Sequence, residues 1–409
     1  MTTSSTDMDD PSREFRTFDQ QDHLEVVDAL RGYAILLVIC VHSLGHARDL
    51  VWPAKRLLTL GFYGVQLFFL ASAMTLLMSW SRSNDPFGKR SGKFLIRRFF
   101  RIAPLYYLAI VFYWFAYQAK PEDFSFDLLI STLFFYNAWS PYLTPTVDAW
   151  TPVPGGWSIS VEFCFYFAFP FLAMIVTNIR RSVIFFLIAL VIMIAAAIGG
   201  MHLYPELTFE ERSNFLYYWP PNQLIIFSLG FLLYHCIKSD SVRRWVIASR
   251  ITANSASIAL GLALVALSFY GPKKFFNWSL LLPPTHLVIS LLFLAWAIVL
   301  VIKPRGFAIN PAIIGLGKVS FSAYILHFSV LKYAGILLSQ VWPFATVGAA
   351  SIPYVLTLLA ASVVITRYVS ALSYRYIEQP FVIFGKSIIQ RAFPSPKARS
   401  EPLVTVTPS

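Results

Sequence analysis

The sequence predicts an all-α polytopic membrane protein with about ten transmembrane helices and both termini cytoplasmic. Two observations carry that expectation. Of 409 residues, 57% are hydrophobic and only 13% are charged, far from the usage of a soluble globular chain. The apolar residues also gather into stretches of the ~20 residues that hydrocarbon about 30 Å thick requires. These are 27–46, 60–80, 101–118, 157–176, 183–201, 218–237, 252–270, 284–302, 316–336 and 351–374. The net charge of +12 lies largely in the intervening loops 81–100, 177–182, 238–250 and 303–315, and clustered Lys and Arg mark cytoplasmic loops. A membrane surface accounts for the charge, and no nucleic-acid partner is expected. The polar start lacks a secretory signal, which predicts a cytoplasmic tail over 1–26, a membrane domain over 27–380 and a second cytoplasmic tail over 381–409. Pro394, Pro396, Pro402 and Pro408 predict disorder at its end. The expected location is the inner (plasma) membrane, crossed many times.

Taken in order, the first helix stands out. The run DALRGYAILLVICVH carries Asp28, Arg31 and His42 into an apolar segment, where each ionisable group costs roughly 2.5 kcal/mol or more unless it faces protein or water. His42 follows Arg31 by eleven positions, close to three turns, so both occupy one face about 16 Å apart. Asp28 and Arg31 also suit the interfacial end of a helix, where side chains snorkel to headgroups. His42 lies too deep for that. The third helix is entered through RSNDPFGKRSGKFLIRRFFR, and Arg97, Arg98 and Arg101 present forks suited to phosphate, although topology and anionic lipid also explain a basic loop. Residues 124–143 are apolar enough to suggest a span. A span there would put Arg180 and Arg181 outside, so an interfacial or re-entrant segment packed on protein is expected.

The fourth helix opens with GGWSISVEFCFYFAFP, which places Glu162 about 7 Å below its outer end, a depth similar to that of His42. The two can be neighbours, and a carboxylate beside a neutral imidazole makes a usable general base. Alternatively Glu162 bonds Ser158 or Tyr166, each one turn away. In GLGKVSFSAYILHFSVL, Tyr324 and His327 are polar on an apolar helix, and His327 is either functional or bonded to a backbone carbonyl. At the end of the tenth helix, SYRYIEQPF reads as structural, with Arg375 and Glu378 paired and Pro380 ending the helix. Cys40, Cys164 and Cys236 lie in apolar runs and read as packing residues. No phosphate loop, metal-ligand spacing or nucleophile elbow occurs, so no metal is expected.

These residues resemble the acyltransferase-3 family of integral-membrane acyltransferases, which O-acetylate bacterial polysaccharides and other glycans. The likeness rests on Arg31 and His42 in ALRGYAILLVICVH, on GVQLFFLASAMTL at 64–76, on FLIRRFFRIAPLYY, on Trp157 to Glu162 as W-S-x-S-x-E, on Tyr324 to His327, and on Tyr374 to Phe381. Gln66, Ala73, Phe163 and Ser329 depart from the family pattern. The resemblance implies a ten-helix body, acetyl-coenzyme A as cytosolic acyl donor, and a carbohydrate or glycolipid hydroxyl as acceptor. It implies catalytic roles for His42 and Glu162, donor binding by Arg31, Arg97, Arg98 and Arg101, and substrate contacts from Trp157, Ser158, Tyr324 and His327. Relatives often append an extracytoplasmic hydrolase-like domain. Without one, direct delivery or a separate extracytoplasmic transferase or polysaccharide-assembly partner is expected. A transporter or flippase of a glycosylated or acylated lipid is the competing reading, since intramembrane charge also suits a permeation path. A catalytically dead scaffold is the third.

Overall fold

The computed structural model describes residues 11–46, 50–143, 151–270, 284–342 and 348–394. The described residues are helical throughout, with turns between; the sole isolated bridge among them joins Leu50 to Gly348. Seven helices among them are long and apolar enough to cross a membrane, or eight if a bent pair counts as one span. The protein is a multi-pass membrane bundle.

Helix α1 (Pro11–His42) is the element the bundle wraps. It lies outside the apolar seven because Glu25, Asp28 and Arg31 all fall in its last eighteen residues. Helix α2 (Trp52–Thr59) leads through a short 3-10 turn into α3 (Gly64–Trp80), and α4 (Phe87–Ala116) follows. Lys332 donates to the Ala116 carbonyl at 3.0 Å, placing a cation on the free end of α4, where the helix dipole favours one. Helix α5 (Phe126–Leu133) is only eight residues long, about 12 Å, too short to span. The chain then folds back onto α6 (Gly156–Ile175). Phe135 stacks on Phe163 at 3.7 Å, Ser160 donates to the Phe135 carbonyl, and the Trp139 indole donates to the Cys164 sulfur. The segment is thus held against protein, and its one helix is too short to cross a bilayer.

Helix α7 (Ile179–Leu203) starts at Asn178, whose side chain accepts the Arg181 N–H at 2.9 Å. Helix α8 (Phe209–Tyr218) starts with a reciprocal box between Thr208 and Glu211. Helices α9 (Pro220–Lys238) and α10 (Asp240–Ala248) meet at a 76° bend and form the bent pair together with α8. Helices α11 (Ala253–Tyr270), α12 (Thr285–Ile302), α13 (Pro311–Lys318), α14 (Ser320–Val341), α15 (Ser351–Ser373) and α16 (Gln379–Ala392) complete the order. A ring stack runs through the bundle from α3 to α6 by way of α9: Phe227 lies 4.7 Å from Phe69 and 3.9 Å from Phe165. All three cysteines are free thiols.

Between lipid-solvated helices no hydrophobic force drives packing, so close backbone approach must supply the contact. A Cβ on Gly317 would stand 1.7 Å from the Asp28 carbonyl oxygen, and one on Gly61 2.1 Å from that of Leu37. Glycine alone fits there. Helix α1 is therefore gripped at its backbone from α13 on one side and from the α2–α3 turn on the other.

The end of α15 corrects one expectation. Arg375 is exposed, while Glu378 is buried and accepts a hydrogen bond from Ser322 of α14. Pro380 does not stop the helix. A π-helical turn over Tyr374–Glu378 widens the ladder, and Pro380 sits in the first turn of α16, where its missing N–H is not needed. Helix α16 thus forms the start of the expected C-terminal tail, and residues 395–409, expected to be disordered, lie outside the described ones.

Candidate active site

A cavity opens among α1, α3, α4, α6 and α14. Arg31, Arg98 and Arg101 face it, with Glu162 its one lining carboxylate. Arg31 donates from Nη2 to Thr75 at 3.1 Å, and Arg98 lies over the rings of Phe94 and Tyr166, 5.8 and 5.7 Å from their centres. Glu162 accepts a 2.6 Å hydrogen bond from Ser72. Arg31 and Arg98 are within electrostatic range of Glu162, but no ion pair closes between them among the described residues. Three guanidiniums against one carboxylate leave the cavity cationic. Their remaining donors suit a polyanion with several phosphate oxygens.

Ser158 and Tyr324 form the wall opposite. Ser158 donates to the Tyr324 hydroxyl at 2.8 Å, and Tyr324 donates to the Gly155 carbonyl at 3.0 Å. Gly155 caps α6 with φ of 74°, a left-handed conformation that glycine adopts without strain, and a Cβ there would meet the Tyr324 oxygen at 2.9 Å. One turn further along α14, three rings pack together. His42 lies 4.4 Å from Phe328 and 5.3 Å from His327, whose ring is 4.0 Å from Phe328. Nδ1 of His327 stands 2.7 Å from the Tyr324 carbonyl and 3.2 Å from that of Ala323. Both are acceptors, so Nδ1 carries the ring proton.

The structure thus brings Arg31, Arg98, Arg101, Glu162, Ser158 and Tyr324 around one space, and His42 and His327 into contact beside it. It does not join His42 to Glu162 by a hydrogen bond or ion pair among the described residues. Arg97 is exposed and does not line the cavity. Trp157 packs on Tyr218 at 4.6 Å instead of lining it. Sequence reasoning missed Ser72, Thr75 and Phe328. The signal for the first two was available: Ser72 and Thr75 are i, i+3 polar neighbours on one face of an apolar helix.

An acyltransferase domain model matches residues 24–370 of the chain. The chain belongs to the acyltransferase-3 family. Acyltransferase MdmB of Streptomyces mycarofaciens is 26% identical over 406 residues, covering 93% of this chain and 98% of that protein. Two Staphylococcus aureus proteins, "Putative O-acetyltransferase SACOL0978" of strain COL and "Putative O-acetyltransferase SAS0844" of strain MSSA476, are each 25% identical over 399 residues, covering 90% of this chain. The matched region is 58% of their own length. No solved structure matches the chain. This acyltransferase must bind an acyl donor and an acceptor, and the cationic cavity is the most polar of the recesses described. Among the described residues no cluster of metal-ligating side chains competes with it.

Proposed function

We propose that this acyltransferase moves an acyl group, usually acetyl, from cytosolic acyl-coenzyme A to a hydroxyl of a cell-surface or lipid-linked glycan. The convergence of Arg31, Arg98 and Arg101 on one cavity that ends at Ser158 and Tyr324 supports this reading most. The arginines hold the diphosphate and ribose phosphate, with exposed Arg97 receiving the donor at the mouth. Arg31 and His42 stand about 16 Å apart on one helix, comparable to an extended pantetheine arm, so the thioester reaches His42 while the nucleotide stays at the basic end. Trp157, Ser158 and Tyr324 shape the acceptor side.

His42 takes the proton of the acceptor hydroxyl as its oxygen attacks the thioester carbonyl. The carbon–sulfur bond breaks, the ester remains on the glycan, and the proton passes from His42 to the departing coenzyme A thiolate. Glu162 acts across the cavity rather than by direct contact. It offsets the field of Arg31 and Arg98, which would otherwise oppose a cation at His42. The test is purified protein in liposomes given acetyl-labelled coenzyme A outside and a lipid-linked glycan in the bilayer. Label should appear on the glycan as free thiol is released. Transport of intact glycolipid without thiol release would overturn the reading.

A further inference from the structure

We infer that His327 is the positioning residue for His42, and that its Nε2 accepts the His42 ring N–H. The inference rests on the acyl-transfer reading above. His327 is fully buried, and its Nδ1–H is committed to the Tyr324 and Ala323 carbonyls. Nε2 must then be a lone-pair acceptor, and in the structure it has no hydrogen-bond partner. A buried acceptor left unpaired is costly, and the carbonyl bonds use only Nδ1, so Nε2 is left over for a second partner.

The ring that carries the unpaired nitrogen lies beside His42. Two hydrogen-bonded imidazoles have ring centres about 5 Å apart, an N···N distance of about 3 Å plus two ring radii. The His42 and His327 centres are 5.3 Å apart with planes tilted by 46°. No hydrogen bond joins them in this rotamer, and the inferred contact requires the His42 ring to turn about its outer torsion. Phe328 packs on both rings, so neither swings away from the other.

Once the contact forms, one His42 nitrogen is fixed as a donor to His327 and the other is left as the base. When that base takes the acceptor proton, the imidazolium shares its charge through the N–H···N bond. This is the office a carboxylate fills in hydrolase triads, here performed by a neutral ring. Glu162 makes no hydrogen bond or ion pair with His42 among the described residues, so it does not fill that office.

Two substitutions separate the nitrogens. The His327→Asn amide lies near the Nδ1 position and keeps the carbonyl bond, but leaves nothing near Nε2. The His327→Gln amide reaches the Nε2 position and offers its carbonyl oxygen as acceptor. In the reconstituted assay, turnover at saturating donor should fall about a hundredfold in His327→Asn, and in His327→Gln should stay within about tenfold of wild type. The Michaelis constant for acyl-coenzyme A should hold in both, since the arginine end is untouched. The reverse order, equal loss in both, or wild-type turnover in both would overturn the role of Nε2. Wild-type protein that transfers no acyl group would overturn the underlying reading itself, which the variants cannot do.

Discussion

Arg98 and Glu162 line one cavity, and the proposed reaction uses them in different steps. Phosphate contacts made by Arg98 exist before reaction and change little as the acyl group moves, so their loss should raise the Michaelis constant for the donor. A charge-assisted hydrogen bond contributes about 1.5–3 kcal/mol, so Arg98→Gln should weaken donor affinity about tenfold to a hundredfold, recoverable at high donor concentration. Glu162→Gln keeps shape and the bond from Ser72 but removes the offsetting charge. Turnover should drop about tenfold or more at saturating donor, and additional donor should not restore it. A donor titration on both variants, at fixed acceptor, gives the answer; rescue of Glu162→Gln by donor would reverse the two assignments. His42→Ala should abolish transfer while inserting normally, because it removes a polar group from an apolar helix. Protein level in the membrane and label on the glycan check the two halves of that statement. Arg31, His42 and Glu162 were legible in the sequence because a charge in an apolar helix is costly and needs a reason. Ser72 and Thr75 gave only a weaker signal, their i, i+3 spacing, since a hydroxyl can return its proton to its own helix, as Thr75 does to the Ser72 carbonyl.

Helices are where pattern served best. The expected apolar stretches fall mostly on helix in the described residues, although 218–237 and 316–336 each straddle a break, at Trp219 and Val319, and the helix within 124–143 is too short to cross a bilayer. The turn at the end of α15 was illegible, because Arg375 and Glu378 fit an ordinary helical pair by spacing alone. The π-turn and the burial of Glu378 depend on Ser322, more than fifty residues earlier in the chain. Close packing of α1 was equally invisible, since a glycine in an apolar run does not announce its neighbour. Its weight can be measured by contrast. Gly317→Ala must drive a methyl group into the Asp28 carbonyl, whereas Gly261→Ala on α11 meets nothing within 4 Å. Overpacking of this kind costs about 1–3 kcal/mol or more. The thermal midpoint in detergent should fall by several degrees for Gly317→Ala, and should hold or rise for Gly261→Ala, where alanine is the better helix former. Equal midpoints would mean that α13 can back away from α1.

For the whole molecule, the open question of sidedness has a direct measurement. Helix α4 is 30 residues long, about 45 Å, so Lys89 and Gln118 must lie at opposite ends of the bundle. Cysteines at Lys89 and Asp240 should be blocked by impermeant reagent only after the cytoplasmic face is opened, and one at Gln118 in intact cells. Labelling of Lys89 in intact cells would turn the bundle over and leave the arginine cavity facing away from cytosolic donor. The grip on α1 has a further meaning for the molecule as a machine. A helix clasped at its backbone by Gly61 and Gly317 can neither slide nor rotate without breaking van der Waals contact. On the proposed placement of the donor, the interval between Arg31 and His42 is a rigid gauge, and the carrier has to match it, not the reverse. A thioester on an arm half as long can sit at the arginines or touch the imidazole, never both at once. The enzyme would distinguish carriers by length as well as by charge.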